Sequence, residues 1–448
     1  VGIQNFPSVL QPIIQQGYLE RAFMQALRAT LAYRSIAEKE DFPVKIGETL
    51  TKTRAGLLAA ATTPLTPSAN TNFDNGLSPQ NWSVEQFTLT IQQYGATQDL
   101  NTVTNKVGIA SQFIQNAMAL GEQAARSLDA LAANALFATY MGGNTRLRTT
   151  ATGTSQAVDD VRGFYQVFNS NGVLVPVSSG NTLSITINGS AFTVTAVTAD
   201  GNAPAGAPTN LTFSGSGSNV STAPGGFSGV LTLSASCTGT AGQPVVSAVA
   251  PVVLRPNNRT TTAALTSGDT MLMINNVLQA ATTLRLNAVP PIDGLYNCYA
   301  DAQQIQGLFQ DTAFQTLFRG AYKAEEYRTG EIFSLAGVRF IPTTMAPQQL
   351  LGGLNIRRAL VVGKGALIEG DFQGQDAHDT DNPLAEFTKV DGVTHVTRAP
   401  MDRLQQIIAQ SWYYIGGFVT PSDTTANPTT IPTASNAQFK RAVLIESL

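Results

Sequence analysis

The run Pro290-Pro291-Ile292-Asp293-Gly294-Leu295-Tyr296-Asn297-Cys298-Tyr299-Ala300-Asp301-Ala302-Gln303-Gln304-Ile305-Gln306-Gly307-Leu308-Phe309-Gln310-Asp311 decides how this chain is read. Paired prolines lack two backbone N–H groups and push the preceding residue out of the helical region, so the helix read over Thr270 to Leu286 stops before them. Tyr296 to Ala300 then reads as a buried strand, and Ala302 to Leu308 as a short helix. Further on, Glu331-Ile332-Phe333 and Val338-Arg339-Phe340-Ile341 read as a hairpin around Ala336-Gly337. Ala359 to Gly363 is a second buried strand, and Gly365-Ala366-Leu367-Ile368-Glu369 is expected to start a short helix. Thr394 to Arg398 and Trp412 to Val419 supply later strands.

Outward from this core, the strongest single element is Ile109 to Tyr140. Phe113, Ala117, Leu120, Ala124, Leu128, Leu131 and Ala135 recur at steps of three or four, one continuous helical face. Glu122 precedes Arg126 by four residues, the favourable ion-pair order on a helix, and Gly142-Gly143-Asn144 supplies the left-handed ending. Before the helix, Val44 to Leu50 and the alternating Trp82, Val84, Phe87, Leu89 and Ile91 read as two strands joined by a long polar tip. A two-stranded hairpin is marginal by itself in water, so its apolar face is expected to find a partner subunit. Residues 12 to 40 read as an arm ending in a helix, closed by Glu38-Lys39-Glu40-Asp41 before Pro43.

Between Gly163 and Leu254 the composition changes: Asp200 is the only charged residue. Short alternating runs (Leu183 to Ile187, Phe192 to Val197, Leu211 to Phe213, Val230 to Leu233) are separated by Asn188-Gly189, Asp200-Gly201 and Pro224-Gly225-Gly226. Several short strands with such punctuation predict a small β-sandwich or barrel. Helical pattern on both sides makes it an insertion at a surface loop.

Composition narrows function. Charged residues are 13% of the chain, where soluble domains carry about 25%. The buried parts of protein interfaces are depleted in charge, so a surface this poor in it is expected to be covered by neighbours; a neutral secreted protein shares the composition. Net charge is -3, with no basic tail to neutralise nucleic acid. Cys237 and Cys298 are too few for a disulfide framework and fit no zinc spacing, as expected for assembly in a cytoplasm. No apolar run reaches membrane-spanning length and no signal peptide is read.

Taken in order, the Pro-Pro-Ile-Asp-Gly-Leu-Tyr entry, the segment Ala302 to Asp311, Thr329-Gly330-Glu331-Ile332-Phe333 and Ala336-Gly337-Val338-Arg339-Phe340 resemble the major capsid proteins of short-tailed and related bacteriophages. The resemblance covers about three quarters of the chain and rests on collinear order. Asn297 to Asp301 departs from it, standing where such proteins more often carry a Val-His-Pro type run. It implies an α+β chain of the Hong Kong 97-like capsid fold with an inserted all-β domain. The implied division is an N-terminal arm (1–43), an extended loop (44–95), a peripheral domain with its spine helix (96–160), the insertion (161–258), a peripheral/axial continuation (259–345), an axial domain (346–400) with Gly363-Lys364-Gly365-Ala366 at its family-like run, and a peripheral return (401–448).

The implied function is a shell subunit that assembles into hexamers and pentamers around double-stranded DNA. It would sit in the virion after assembly in a bacterial host cytoplasm, with portal and scaffolding proteins, and in some cases a decoration protein, as partners. Trp82, Val84, Phe87, Leu89 and Ile91 are the expected inter-subunit anchors; Phe113, Leu120, Leu128 and Leu131 the spine-helix core; Gly330, Glu331, Gly337 and Arg339 the hairpin motif. An encapsulin-like compartment and a secreted β-rich adhesin are the alternative readings. No catalytic constellation, metal site or cofactor is read. Asp376, His378, Asp379 and Asp381, near Asp371, read as a polar loop, and His395 as a structural strand residue. Lys45 and Lys52 are the loop lysines in the segment where some capsids of this fold form a Lys–Asn crosslink.

Overall fold

A computed structural model describes residues 32–45, 47–55, 84–101, 112–169, 173–204, 207–269, 272–318, 334–376, 385–398, 406–421 and 440–448, with single positions 62, 64, 400, 403 and 404. In chain order the elements begin with β1 (Ala37–Phe42), β2 (Thr49–Ala55), β3 (Val84–Thr90), β4 (Gln92–Asn101) and the long helix α1 (Gln112–Tyr140). Next come β5 (Asn144–Arg146), β6 (Ala151–Val158), β7 (Gln166–Phe168), β8 (Leu174–Pro176), β9 (Leu183–Ile187), β10 (Ser190–Ala199), β11 (Thr212–Phe213), β12 (Gly229–Gly239), β13 (Pro244–Ser247) and β14 (Val253–Leu254). Then follow α2 (Ile274–Leu286), β15 (Tyr296–Ala300), α3 (Ala302–Gln310), α4 (Thr312–Phe318), β16 (Ser334–Leu335), β17 (Val338–Pro342), β18 (Gln348–Leu351) and β19 (Leu354–Val362). The chain closes with β20 (Leu367–Phe372), β21 (Ala385–Val390), β22 (Val393–Arg398), β23 (Ile407–Val419) and β24 (Ala442–Ser447). The chain is mixed α+β and divides into two units, each drawn from separated stretches.

The first unit comprises 1–50, 88–135 and 367–419. Its sheet runs β1-β20-β23-β22-β21, with β4 also on β23. The thirteen-residue β23 is the hub. It takes β4 along 407–416, β22 along 409–414 and β20 along 416–419. One face is covered by α1, whose Leu120, Ala124, Ala125 and Leu128 pack with Val390, Val393, Trp412 and Tyr414. Each fully buried leucine there is worth roughly 1.5–3 kcal/mol of transfer free energy. Beyond Leu128 the buried positions step by four, to Ala132 and Leu136, while Leu131 is half-buried and Ala135 lies off the stripe. The side chain of Phe113 lies outside the described residues.

Two local expectations change here. Glu38-Lys39-Glu40-Asp41 does not close a helix: it lies in β1, paired in parallel with β20 from Ala37↔Leu367 to Phe42↔Phe372. β1 is the sheet's edge, and edge strands carry charge because it discourages further pairing. The helix expected to begin at Gly365 is instead β20, whose Leu367, Ile368, Glu369 and Gly370 are all buried. A strand covered on both faces shows no alternation, so its pattern cannot be told from a helix start. The arm residues before 32 lie outside the described residues.

The second unit comprises 51–87, 136–366 and 420–448. A mixed sheet runs β14-β24-β19-β15-β17-β16, with β18 on β19. Its core sets Val277, Ala281 and Leu284 of α2 with Cys298 of β15, Val361 of β19, and Val443 and Ile445 of β24. Asp301 opens α3 with a capping box, its carboxylate taking the Gln303 N–H while Gln304 returns to the Asp301 N–H. The β16–β17 turn is made by Ala336 (φ 58°) and Gly337 (φ 82°), the left-handed pair a two-residue hairpin demands.

The remaining large sheet runs β5-β13-β9-β10-β12-β6, with β11 beside β10. Its two ends meet: Leu147 bridges Val158, Arg148 N–H donates to Ala157 O at 2.9 Å and Asp159 N–H to Arg146 O at 3.1 Å. The strands therefore close into a six-stranded barrel around Leu183, Ile185, Val194, Leu231, Leu233 and Val245. Closure removes the exposed strand edges that a charge-poor sheet would otherwise present. The barrel begins at Asn144 and ends at Ser247, ahead of the expected 161–258 at both ends, because β5 and β6 carry Arg146 and other polar residues outside the charge-free stretch. The break between units after Ala366, and the return of 420–448 to the second unit, also differ from the expected 346–400 and 401–448. The cause is β24, whose unbroken apolar run Ala442 to Ile445 inserts between β14 and β19.

Candidate functional site

Two elements carry the segments that the sequence reading assigns to contacts between subunits, and the first is the arm where it enters the first unit. Three consecutive backbone N–H groups, of Ala32, Tyr33 and Arg34, donate to one oxygen of Asp129 on α1, at 3.0, 2.7 and 3.2 Å. Asp129 is 1% exposed, and burial raises its pKa against the three N–H donors, which favour the carboxylate. Arg34 then turns inward. Its Nε lies 3.1 Å from both Glu369 oxygens, and its Nη2 donates to Glu369 Oε1 at 2.6 Å and to Asp391 O at 2.8 Å. The guanidinium sits 5.6 Å over the Tyr414 ring, and the Tyr414 hydroxyl donates to Glu369 at 3.0 Å. Burial opposes the Arg34 charge, but Glu369 outweighs it and holds the guanidinium above its ordinary pKa. Tyr414 is pushed up, by burial first and by the Glu369 charge second. The result is a fixed ionic lock, joining the arm to β20 and β23. The sequence reading missed it. Its one local signal was an acid inside the apolar run Leu367-Ile368-Glu369.

The second element is the hairpin of β2 and β3. Of its five expected anchors, Trp82 and the side chain of Val84 lie outside the described residues. Phe87 and Leu89 are 6% and 0% exposed within this single chain, so neither is offered to a neighbour, and Ile91 is half-buried. Leu89 packs against Gly370 of β20, where an added Cβ would lie 2.9 Å from its Cδ2. The exposed positions are the intervening Gln86, Thr88 and Thr90. The alternation was read in the right register, but the base of the hairpin buries its apolar face at home. On β2, Arg54 lies 5.6 Å over the Phe168 ring.

Gly337 makes the expected turn and Arg339 is half-buried on β17; Gly330 and Glu331 lie outside the described residues, as do His378, Asp379 and Asp381. Lys45 is exposed and Lys52 half-buried. Among the described residues the two thiols and His395 are all shifted by burial. Burial pushes the Cys298 thiol up to about 12 and the His395 imidazole down to about 4, and it raises Cys237. Among the described residues no group of three His, Cys, Asp or Glu is placed to hold a metal ion, and no helix is long and apolar enough to cross a membrane. Large apolar side chains stand exposed at Leu286 of α2 (74%) and Leu350 of β18 (73%).

No family profile and no curated protein matches the chain. Among solved structures it is similar to the capsid of Ralstonia phage GP4, at 10% identity and TM-score 0.49, covering 94% of this chain and 92% of that one. It is similar to the capsid of cyanophage P-SCSP1u, at 13% identity and TM-score 0.45, covering 93% and 88%. A third is the capsid of cyanophage Pam1, at 13% identity and TM-score 0.43, covering 95% and 91%. With TM-scores below 0.5 these similarities assign no family, and the topology stands on its own geometry.

Proposed function

We propose that this chain is the major capsid protein of a tailed bacteriophage, a shell subunit of the Hong Kong 97-like fold. The observation that carries the reading is order along the chain. An arm strand, a hairpin, a 29-residue helix lying on a sheet completed by later strands, and the Pro290 to Gly337 run follow one another as arm, extended loop, spine helix and axial segment do in the resemblance. The first unit takes the part of the peripheral domain, the second that of the axial domain, and the barrel of Asn144 to Ser247 is the insertion.

The role is assembly rather than catalysis. Subunits join as hexamers and pentamers around double-stranded DNA, with portal, scaffolding and decoration proteins as further partners. A surface with few charges suits burial against copies of itself, and many weak contacts suffice because multivalency raises avidity without any new contact. Leu286 and Leu350, exposed in one copy, are the side chains such contacts would cover. Electron microscopy of the protein expressed with the scaffold and portal of its own phage tests the reading. Closed icosahedral shells are expected; a dispersed monomer under those conditions overturns it. Shells filled with protein cargo instead of DNA would point to an encapsulin-like compartment.

A further inference from the structure

We infer that the second unit contains a built site for one small inorganic oxyanion, of phosphate or sulfate size, between Arg146 of the barrel and Arg358 of β19. A cavity of about 40 Å³, room for about three waters, is walled there by Arg146, Arg255, Arg358, Asp159, Asp160 and Glu446.

The carboxylate oxygens of this wall are already engaged, each accepting at least one hydrogen bond. Glu446 receives Arg255 Nε at 2.7 Å, Arg358 Nε at 3.0 Å and Thr262 Oγ1 at 2.8 Å. Asp159 receives the Thr222 N–H at 3.1 Å and the Thr222 hydroxyl at 2.5 Å. Asp160 receives the Arg162 Nε at 2.8 Å and the Arg162 N–H at 3.0 Å.

The donors are not. Arg358, its side chain 2% exposed, gives Nε to Glu446 and Nη2 to Gln349, and its Nη1 has no acceptor among the described residues. Arg146 reaches Asp159 only at 3.8 Å, beyond hydrogen-bond distance. The cavity wall itself is balanced, three arginines against three carboxylates, and the buried donor left without an acceptor is Arg358 Nη1. Burial pushes Arg358 below its ordinary pKa, and Glu446 pulls it back more strongly than Arg162 or Arg255 pushes it down. A cation would meet carboxylate oxygens already engaged as acceptors and would leave Arg358 Nη1 without one. An oxyanion supplies acceptors to Arg358 and Arg146, and guanidinium forks match its geometry. Its binding would tie the barrel to the β19–β24 sheet.

This inference does not depend on the shell reading. The test is hydrogen exchange of the full chain, titrated with inorganic phosphate, sulfate or chloride at fixed ionic strength. Phosphate and sulfate are expected to give saturable protection of 144–146, 354–362 and 442–447, and chloride none. Arg146→Gln, at a half-buried position the core does not need, should weaken half-saturation by about tenfold or more, as loss of a charge-assisted hydrogen bond does. Arg146→Lys should recover part of it. Because Arg358→Gln risks unfolding the unit, the Arg146 pair decides. Protection that follows ionic strength alone, or phosphate binding unchanged in Arg146→Gln, would overturn the proposal and leave a water-filled cavity.

Discussion

Replacing Glu446 by glutamine tests whether the second unit is held by its charges as well as by its core. The Glu446 carboxylate, 3% exposed, sits between two buried arginines, with Arg255 Nε at 2.7 Å and Arg358 Nε at 3.0 Å. Burial alone would raise its pKa; Arg255 and Arg358 overcome that and hold it at about 2, against an ordinary 4.5. At about 1.4 kcal/mol per pH unit this difference is worth about 3 kcal/mol, matching the roughly 3–5 kcal/mol lost when one partner of a buried pair is removed. The sign follows from the depressed pKa. The stabilisation is fully present above about pH 4.5 and is lost as pH falls toward 2. Glu446→Gln should therefore speed exchange of the β19 and β24 amides at neutral pH on the order of 100-fold, and should flatten the acid dependence of wild-type stability between those limits. Arg126→Gln, which breaks an exposed pair with Glu122 at 2.7 Å, should change little. Unchanged protection in Glu446→Gln would refute the reasoning and leave the strand order to apolar packing alone.

Three further outcomes are expected. A Cβ at Gly417 would collide with the Thr90 carbonyl oxygen, so Gly417→Ala should force β23 away from the β3–β4 junction; the fluorescence of Trp412, buried in the same unit, should report an unfolding midpoint well below wild type. Asp129→Ala removes the shared acceptor of three N–H groups, at a cost of about 1–3 kcal/mol for each left unsatisfied. Limited proteolysis should then cut near Arg34 faster than in wild type, and equal rates would show that the ionic lock alone retains the arm. Leu350→Asp, at a 73% exposed position, should leave circular dichroism and thermal midpoint unchanged while reducing shell yield in co-expression; an undiminished yield would remove Leu350 from the contact surface.

Elements written in local periodicity were legible in the sequence, and those made by distant pairing were not. The stripe of α1, the buried strand β15, the left-handed pair Ala336-Gly337 and the punctuated barrel strands each follow from a few neighbouring residues. β1 and β20 do not. Their pairing joins segments more than 300 residues apart, and one is too polar and the other too uniformly buried to alternate. The hairpin shows the same divide at the site. Period two put Phe87 and Leu89 on one face, but only Gly370, far along the chain, decides that this face is filled internally. The Arg34–Glu369 lock was illegible for the same reason, since neither residue's neighbours name its partner.

That pattern gives the scarce charges a physical role. In a chain with only 13% charged residues, several lie in the interior, and three of their pairs bridge large sequence gaps: 335 residues for Arg34 and Glu369, 191 for Arg255 and Glu446, 88 for Arg358 and Glu446. Buried ion pairs add little net stability over well-packed apolar residues, because desolvation offsets their attraction. Mispairing them is costly, since it strands a charge in a dry interior. Strands with unbroken buried runs, Leu367 to Gly370 in β20 and Ala442 to Ser447 in β24, could slide or exchange neighbours with modest loss of contact, whereas Glu369 and Glu446 find their arginines in one register. The strand order around Glu369 and Glu446 is thus specified from within by charge as well as by apolar packing.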